Sequence, residues 1–282
     1  MNRADHDPIA IALAEDIGDG DLTTNTFVPE RLRASGRIIT REKTIVAGSE
    51  IAGEVFRRVD SACEVLILHH DGEEISAGEV ILEVRGPARA LLTAERVALN
   101  FLQRLCGIAT LTRQFVDAAA NPRVQIIDTR KTTPGLRQLE KAAVVAGGGA
   151  NHRFGLFDMV LVKDNHLATS GGFADFSERV RQIHQQRPGV RVELEADHLE
   201  QVRAFVEIEG VDIILLDNMT PAQLREAVAL RKGNIKFEAS GGINLKNIRR
   251  VAATGVDYIS VGALTHSARA IDLSMEMTHG QT

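Results

Sequence analysis

The chain has 282 residues, 44% of them hydrophobic and 25% charged, with a formal net charge of -5, the balance of an ordinary globular protein. That acidic balance, the absence of Trp and the single Tyr258 argue against a nucleic-acid surface, which needs a basic stripe and stacking aromatics, and no run approaches the roughly 20 apolar residues of a membrane span. Cys63 and Cys106 stand without C-x-x-C spacing, so neither a zinc site nor a disulfide framework is indicated, and the acidic start MNRADHDPIAIALAEDIGDGD lacks a signal-peptide core, so a cytoplasmic location is expected.

In chain order, a helix is expected from Pro8 to Glu15, followed by a Gly/Asp-rich turn, DIGDGDLTT. Short alternating or β-branched segments come next: SGRIITRE, KTIVAGS, CEVLILHH and VILEVRG, the last ending at Pro87. They predict a small β-rich region. From Ala88 to Ala120 the period becomes helical, with Leu91, Leu92, Val97, Leu99, Phe101, Leu102 and Leu105 on the apolar side and Gly107 placed to divide two helices. Arg96, Asn100 and Arg104 recur every fourth residue, which by itself reads as a solvated helix face.

After Asn121-Pro122 the pattern changes. Six strand-like runs, VQIID, DMVLVK, VRVELEA, VDIILLD, IKFEA and VDYISVG, alternate with helical stretches. Repeated strand-helix units predict a parallel sheet, because parallel neighbours need a crossover. Polar residues gather at the strand ends: Asp128, Thr129, Arg130 and Lys131; Lys163, Asp164, Asn165 and His166; Glu193 and Glu195; Asp217 and Asn218; Ser240, Gly241 and Gly242; Gly262 and Ala263. Side chains from every strand end meet only where the sheet curls into a barrel. With six clear strands and one more sought between Val144 and Gly155, the expected fold is α/β: an N-terminal α+β sandwich-like domain and linking helices over 1–120, an open, incomplete (β/α) barrel over 121–270, and a C-terminal helix or tail over 271–282.

The stretch 128–166 concentrates positive charge, with Arg130, Lys131, Arg137, Lys141, Arg153, Lys163 and His152 against four acids. A cleft lined by one sign of charge favours a ligand of the other, and cations interleaved with apolar runs such as MVLV describe a pocket. The ASGGIN and VGALTHS loops put glycine after consecutive late strands, a frequent phosphate site in barrels; the competing reading of each alone is a simple turn. Glu195 and Asp217 end neighbouring strands, where carboxylates hold Mg²⁺, accept from sugar hydroxyls, or merely balance lysines. GGGANHR delivers His152 and Arg153 beside Arg130 and Lys131. His166 reads mainly as a structural histidine. Together these residues describe a barrel mouth for a phosphorylated sugar and a carboxylated molecule.

The run TRKTTPGLRQLEKAAVVAGGGANHRFGLFDMVLVKDNH resembles the signature of the quinolinate phosphoribosyltransferases, the carboxylating nicotinate-nucleotide pyrophosphorylases. EDIGDGDLTT, TAERVALNFLQRLCGIAT, VELEADHLEQV, IILLDNMTP, EASGGIN and GVDYISVGALTHS resemble family segments in the expected order. The resemblance implies transfer of phosphoribose from phosphoribosyl pyrophosphate (PRPP) to quinolinate with decarboxylation. The products would be nicotinate mononucleotide, pyrophosphate and CO₂, a step of NAD biosynthesis. It implies a homodimer with a shared site, in which Arg96 reaches quinolinate across the interface, and assembly beyond a dimer is left open. Arg130, His152, Arg153 and Lys163 match positions around the substrate carboxylates, with Thr129 in the same substrate-binding set. Lys131 matches one near the PRPP phosphates, Glu195 and Asp217 match acids near the ribose and Mg²⁺, and Ser240, Gly241 and Gly242 with Val261, Gly262 and Ala263 match the 5′-phosphate loops. Lys131, Glu195 and Asp217 are thereby the expected catalytic residues. The nearest alternative is the related molybdenum-transport-associated family, which shares the RKT and HR patterning; the complete VKDNH favours the quinolinate enzymes. Readings from other classes are a Schiff-base enzyme using Lys131 or Lys163 and a non-catalytic phosphosugar sensor.

Overall fold

The computed structural model describes residues 7–163 and 176–279. They form two units, one of Met1–Arg113, Thr132–Gly148 and Thr265–Thr282, the other of Gln114–Lys131 and Gly149–Leu264. Residues 132–148, placed by sequence within the barrel span, thus cluster with the first unit.

In the first unit, α1 (Pro8–Ile17) begins where the Asp7 carboxylate accepts from the N–H groups of Ile9 and Ala10, with Pro8 at the first helical position. The DIGDGDLTT stretch, expected as a turn, also starts a helix: Asp21 accepts from the Thr24 N–H at 2.9 Å and opens α2 (Leu22–Phe27). Four antiparallel strands follow the order β12-β1-β5-β3, with β1 at Arg33–Thr40, β3 at Glu64–Ile67, β5 at Val80–Pro87 and β12 at Leu273–His279. The two-residue strands β2 (Thr44–Ile45) and β4 (Glu74–Ile75) pair separately.

Three differences from the sequence reading have physical causes. Between the expected strands lies α3 (Ser49–Val59), which buries Ala52, Val55 and Phe56; their spacing is helical, but the segment is short and bounded by strand-like runs. Residues 271–282, expected as a helix or tail, contribute β12, which runs against β1 from Thr40↔Leu273 to Ala34↔His279. That partner is more than 200 residues away in sequence, beyond any local pattern. Finally, α4 (Ala88–Ala119) runs unbroken through Gly107. A Cβ there would lie 2.0 Å from the Arg269 carbonyl oxygen, so the glycine admits a crossing backbone and does not break the helix. The core joins Phe56, Leu82, Leu91, Leu99 and Leu102. Arg104, read as solvated, instead pairs at 2.8 Å with Glu140 of α5 (Arg137–Ala146), whose carboxylate is fully buried and also accepts from the Thr133 N–H.

The second unit carries six parallel strands in the order β6-β11-β10-β9-β8-β7: β6 at Gln125–Ile127, β7 at Val160–Val162, β8 at Val192–Ala196, β9 at Ile213–Asp217, β10 at Lys236–Ser240 and β11 at Tyr258–Ser260. Each run named from the sequence holds one of them. Chain-adjacent strands are neighbours and the first pairs with the last, the connectivity of a barrel left open between β6 and β7. The sought seventh strand is reduced to a single parallel bridge from Ile127 to Ala150. The connecting helices include α6 (Phe176–Gln186), α7 (Leu199–Phe205), α8 (Pro221–Ala229) and α9 (Ile248–Ala252). Thr220 starts α8 with a reciprocal cap to Gln223. Leu194, Ile214, Leu216, Phe237 and Ile259 are buried on one face of the sheet, and Ile213 and Leu215 are buried on the other, as in parallel strands covered on both sides.

Candidate active site

Side chains two residues apart share a face of a strand. On β8 this pairs Glu193 with Glu195, on β9 Leu215 with Asp217, and on β10 Glu238 with Ser240. Glu195 pairs with Lys163, one residue past β7, at 3.3 Å, and the lysine remains half exposed. Asp217 ends β9, where its carboxylate accepts from the Asn218 side-chain amide at 2.6 Å. Glu195 and Asp217 thus offer hard oxygen donors at the carboxyl ends of adjacent strands, a donor type that suits Mg²⁺.

The cations come from β6 and the arm behind it. Thr129 accepts from the Lys131 N–H at 3.0 Å, which shapes the turn holding Arg130 between them. The arm is clamped to β6 twice: Ala150 N–H donates to Ile126 at 2.8 Å, and Asp128 N–H to Ala150 at 3.2 Å. His152 N–H then donates to the fully buried Asp128 carboxylate at 2.8 Å. This delivers Arg153 to the neighbourhood of Arg130. Burial works against the Arg153 charge, and the Arg130 guanidinium adds to that effect, while Glu193 and Asp158 support it. Arg153 stays charged throughout ordinary pH. Asp158 holds the following turn by accepting from the N–H groups of Phe154 and Gly155; burial alone would raise its pKa, and these bonds carry it below the usual value.

The glycine loop after β10 has a steric reason for its sequence. Gly241 has φ +86, and a Cβ on it would meet Asn218 Oδ1 at 2.2 Å. Asn218 itself sits at φ 53 and donates its N–H to the Ser240 carbonyl at 2.9 Å. The Gly242 carbonyl is tied back by the side-chain amides of Asn244 and Asn247. Among the described residues none accepts from the N–H of Gly241 or Gly242. Beyond β11, Val261 N–H donates to Ile127 at 2.9 Å, which sets Gly262 and Ala263 beside the end of β6.

His152 faces inward. Its Nδ1 accepts from the Arg153 N–H at 2.7 Å, and its Nε2 lies 3.1 Å from Glu193 and 3.5 Å from Glu238. Both carboxyl groups are buried. Burial raises the pKa of each, and for Glu238 the neighbouring Glu193 raises it further. Ligand atoms of the three lie within 4.8 Å of one another. Beside them is a cavity of about 70 Å³ lined by Arg153, Arg191, Gln125, Tyr258 and Ile213.

The second unit therefore gathers Thr129, Arg130, Lys131, His152, Arg153, Lys163, Glu195, Asp217, Ser240, Gly241, Gly242, Val261, Gly262 and Ala263. Arg96 lies in the first unit, exposed on α4, and Arg137 and Lys141 of the basic stretch belong there too. Asp164, Asn165 and His166 lie outside the described residues. Glu238 and Arg191 were not singled out by sequence. Glu238 carried a signal, an acid at an inward, alternate position of an otherwise apolar strand, like Glu193 in VELEA.

The chain matches the profile of the quinolinate phosphoribosyl transferase N-terminal domain over residues 21–106 and of the C-terminal domain over residues 108–276. It is 45% identical to the probable nicotinate-nucleotide pyrophosphorylase [carboxylating] of Bacillus subtilis, over 94% of this chain and 90% of that one. Among solved structures it resembles NadC from Streptococcus pyogenes, with TM-score 0.91, 39% identity and coverage of 97% and 96% of the two chains. It also resembles the nicotinate-nucleotide pyrophosphorylase from Ehrlichia chaffeensis, with TM-score 0.89, 38% identity and 99% coverage of each. With both domain profiles matched in order and a relative alike over nearly its whole length, this chain belongs to the quinolinate phosphoribosyltransferase family.

Proposed function

We propose that the protein transfers the phosphoribosyl group of PRPP to the nitrogen of quinolinate, with loss of CO₂, to give nicotinate mononucleotide and pyrophosphate. The observation that carries this reading is the approach of Arg130 and Arg153, two guanidiniums brought together where Arg153 is partly buried and its charge is disfavoured by burial first and then by Arg130. Such a pair is stabilised by a carboxylate, which guanidinium forks engage bidentately. A pyridine dicarboxylate, with Lys163 as a further cation, fits that demand.

The second half of the mouth takes the sugar phosphate. Ser240, Gly241 and Gly242, with Val261, Gly262 and Ala263, receive the 5′-phosphate through backbone N–H groups, which glycine allows to approach closely. Departure of pyrophosphate leaves an oxocarbenium-like carbon, and Glu195 and Asp217 stabilise that charge. Lys131 takes up charge on the departing pyrophosphate. Glu195 and Asp217 would also hold Mg²⁺, directly or through water, and the ion would neutralise pyrophosphate charge. The pyridine nitrogen is a nucleophile as it stands, so transfer needs no general base. Once ribosylated, the ring nitrogen is cationic and stabilises the electron pair left on the adjacent ring carbon when the bond to the carboxylate breaks and CO₂ departs; that carbon then takes a proton from water. The protein's task is positioning and charge.

The working form in this reading is a cytoplasmic homodimer in which Arg96 of one subunit reaches the quinolinate held by the other. No described helix is long and apolar enough to cross a membrane. The assay is quinolinate- and PRPP-dependent formation of nicotinate mononucleotide with Mg²⁺. Stoichiometric pyrophosphate and CO₂ are expected; PRPP binding without pyrophosphate release would defeat the proposal in favour of a sensor, and a borohydride-trapped lysine adduct in favour of a Schiff-base enzyme.

A further inference from the structure

Beneath the mouth, His152 is committed to the protein. Because Nδ1 accepts a backbone N–H, it carries no proton, and the ring proton sits on Nε2, between Glu193 and Glu238. The imidazole side chain is 9% exposed and the two carboxyl groups 0% and 1%. Among the described residues the polar neighbours of the four carboxyl oxygens are His152 Nε2, the facing carboxyl group and, for Glu238, the Ser260 side chain, and none of them meets an oxygen in full hydrogen-bond geometry. Burying carboxyl groups so sparsely supported is costly, and a hydrocarbon would fill the volume at less expense. Their placement therefore serves something other than stability.

The chain's path shows what it serves. Glu193 lies two residues deeper on β8 than Glu195, on the same face; Glu238 reaches the same imidazole from β10, on the other side of β9. The ring they flank accepts from the N–H of Arg153, so its orientation sets the backbone from which that guanidinium departs. Asp128 fixes the same arm through His152 N–H. Two strands of the sheet thereby reach one arginine through one imidazole. A divalent cation between the three side chains is the rival use of this cluster. Arg153 and Arg191 line the adjoining cavity and act on the Glu193 charge, which leaves little uncompensated negative charge for a cation.

We propose that Glu193 and Glu238 are positioning residues: they hold His152 as the Nε2–H tautomer, and through it hold Arg153 where the carboxylate of the acceptor binds. The acceptor half of this statement rests on the function proposed above; the tautomer half does not.

Two measurements test it. In ¹⁵N imidazole spectra of the whole protein near neutral pH, His152, assigned by comparison with His152→Asn, is expected as the neutral Nε2–H tautomer. An imidazolium or an Nδ1–H tautomer overturns the proposal whatever the activity. The second measurement is kinetic. Glu238→Gln keeps an acceptor facing Nε2 and should leave every constant within about 2-fold, whereas Glu238→Leu removes it. By analogy with other side chains that orient a binding group through a neighbour, the leucine variant should raise KM for quinolinate about 10-fold. Its KM for PRPP and its kcat should stay near the wild type, and its melting temperature should not fall. Equal rises in both KM values, a loss confined to kcat, or no change overturns the positioning role. Zn²⁺ binding by the wild type that Glu238→Leu abolishes makes the cluster a metal site and also overturns it. A wild-type protein without turnover would count against the proposed function, while the ¹⁵N spectrum would still decide whether the carboxyl pair holds the ring.

Discussion

Lys163 and Glu195 form a 3.3 Å pair across neighbouring strand ends, with the lysine half exposed and the glutamate mostly covered. Exposed pairs contribute little to stability, so this lysine is better explained by charge supplied to a ligand. Lys163→Ala should lower kcat/KM about 100-fold or more, because it removes charge from the transition-state environment. The same variant should melt within a few degrees of the wild type by scanning calorimetry, and a large fall in melting temperature would assign the lysine to the fold. The buried Glu238 makes a different prediction. Its pKa is pushed up to about 8, by burial first and then by Glu193, and Glu193 is pushed up to about 7 by burial. A raised carboxyl pKa means the folded protein holds a proton that the unfolded chain has released. The resulting stability is complete below pH 4.5, the ordinary value of a glutamate carboxyl, and is lost as pH rises through about 8. Wild-type melting temperature should therefore fall relative to that of Glu238→Gln between about pH 6 and pH 9. Parallel curves would show that the carboxyl is ionised throughout.

At the scale of elements, α4 shows two effects of opposite sign. Replacing a glycine inside a helix by alanine gains about 1 kcal/mol of propensity. At Gly107 the new methyl would lie 2.0 Å from a backbone carbonyl oxygen of Arg269, and overpacking of that kind costs about 1–3 kcal/mol or more, since backbone yields less readily than a side chain. Gly107→Ala should thus destabilise by about 2 kcal/mol in urea unfolding; a stabilised variant would mean that the segment carrying Arg269 moves freely. The helix itself was legible from its apolar period. Its continuity through Gly107 was not, because the reason for that glycine lies about 160 residues away in sequence. Arg104 teaches the same lesson. Its spacing with Arg96 and Asn100 is that of an exposed face, and only the fold brings it to the buried Glu140, leaving Arg96 and Asn100 outside.

For the whole molecule, the proposed dimer has a direct test. Arg96→Ala and Lys163→Ala should each be nearly inactive. If Arg96 acts on the partner's site, subunit exchange at equal amounts should restore about a quarter of the wild-type rate, since half of the dimers are mixed and one of their two sites is intact. A mixture that stays inactive after exchange would place Arg96 at its own subunit's site or at none.

Local pattern alone determined the six parallel strands and the polar residues at their ends, because burial on both faces leaves long apolar runs and the polar exceptions fall where each strand stops. The shared motifs likewise sufficed for the family. Tertiary structure alone decided three other matters: that β12 closes the N-terminal sheet, that the basic stretch is divided between two units, and that His152 faces a carboxyl pair inside the barrel. Each depends on contacts between residues far apart in the chain. A period of two assigns an acid to the inner face of its own strand, and it is the curl and register of the whole sheet that determine which imidazole it meets there.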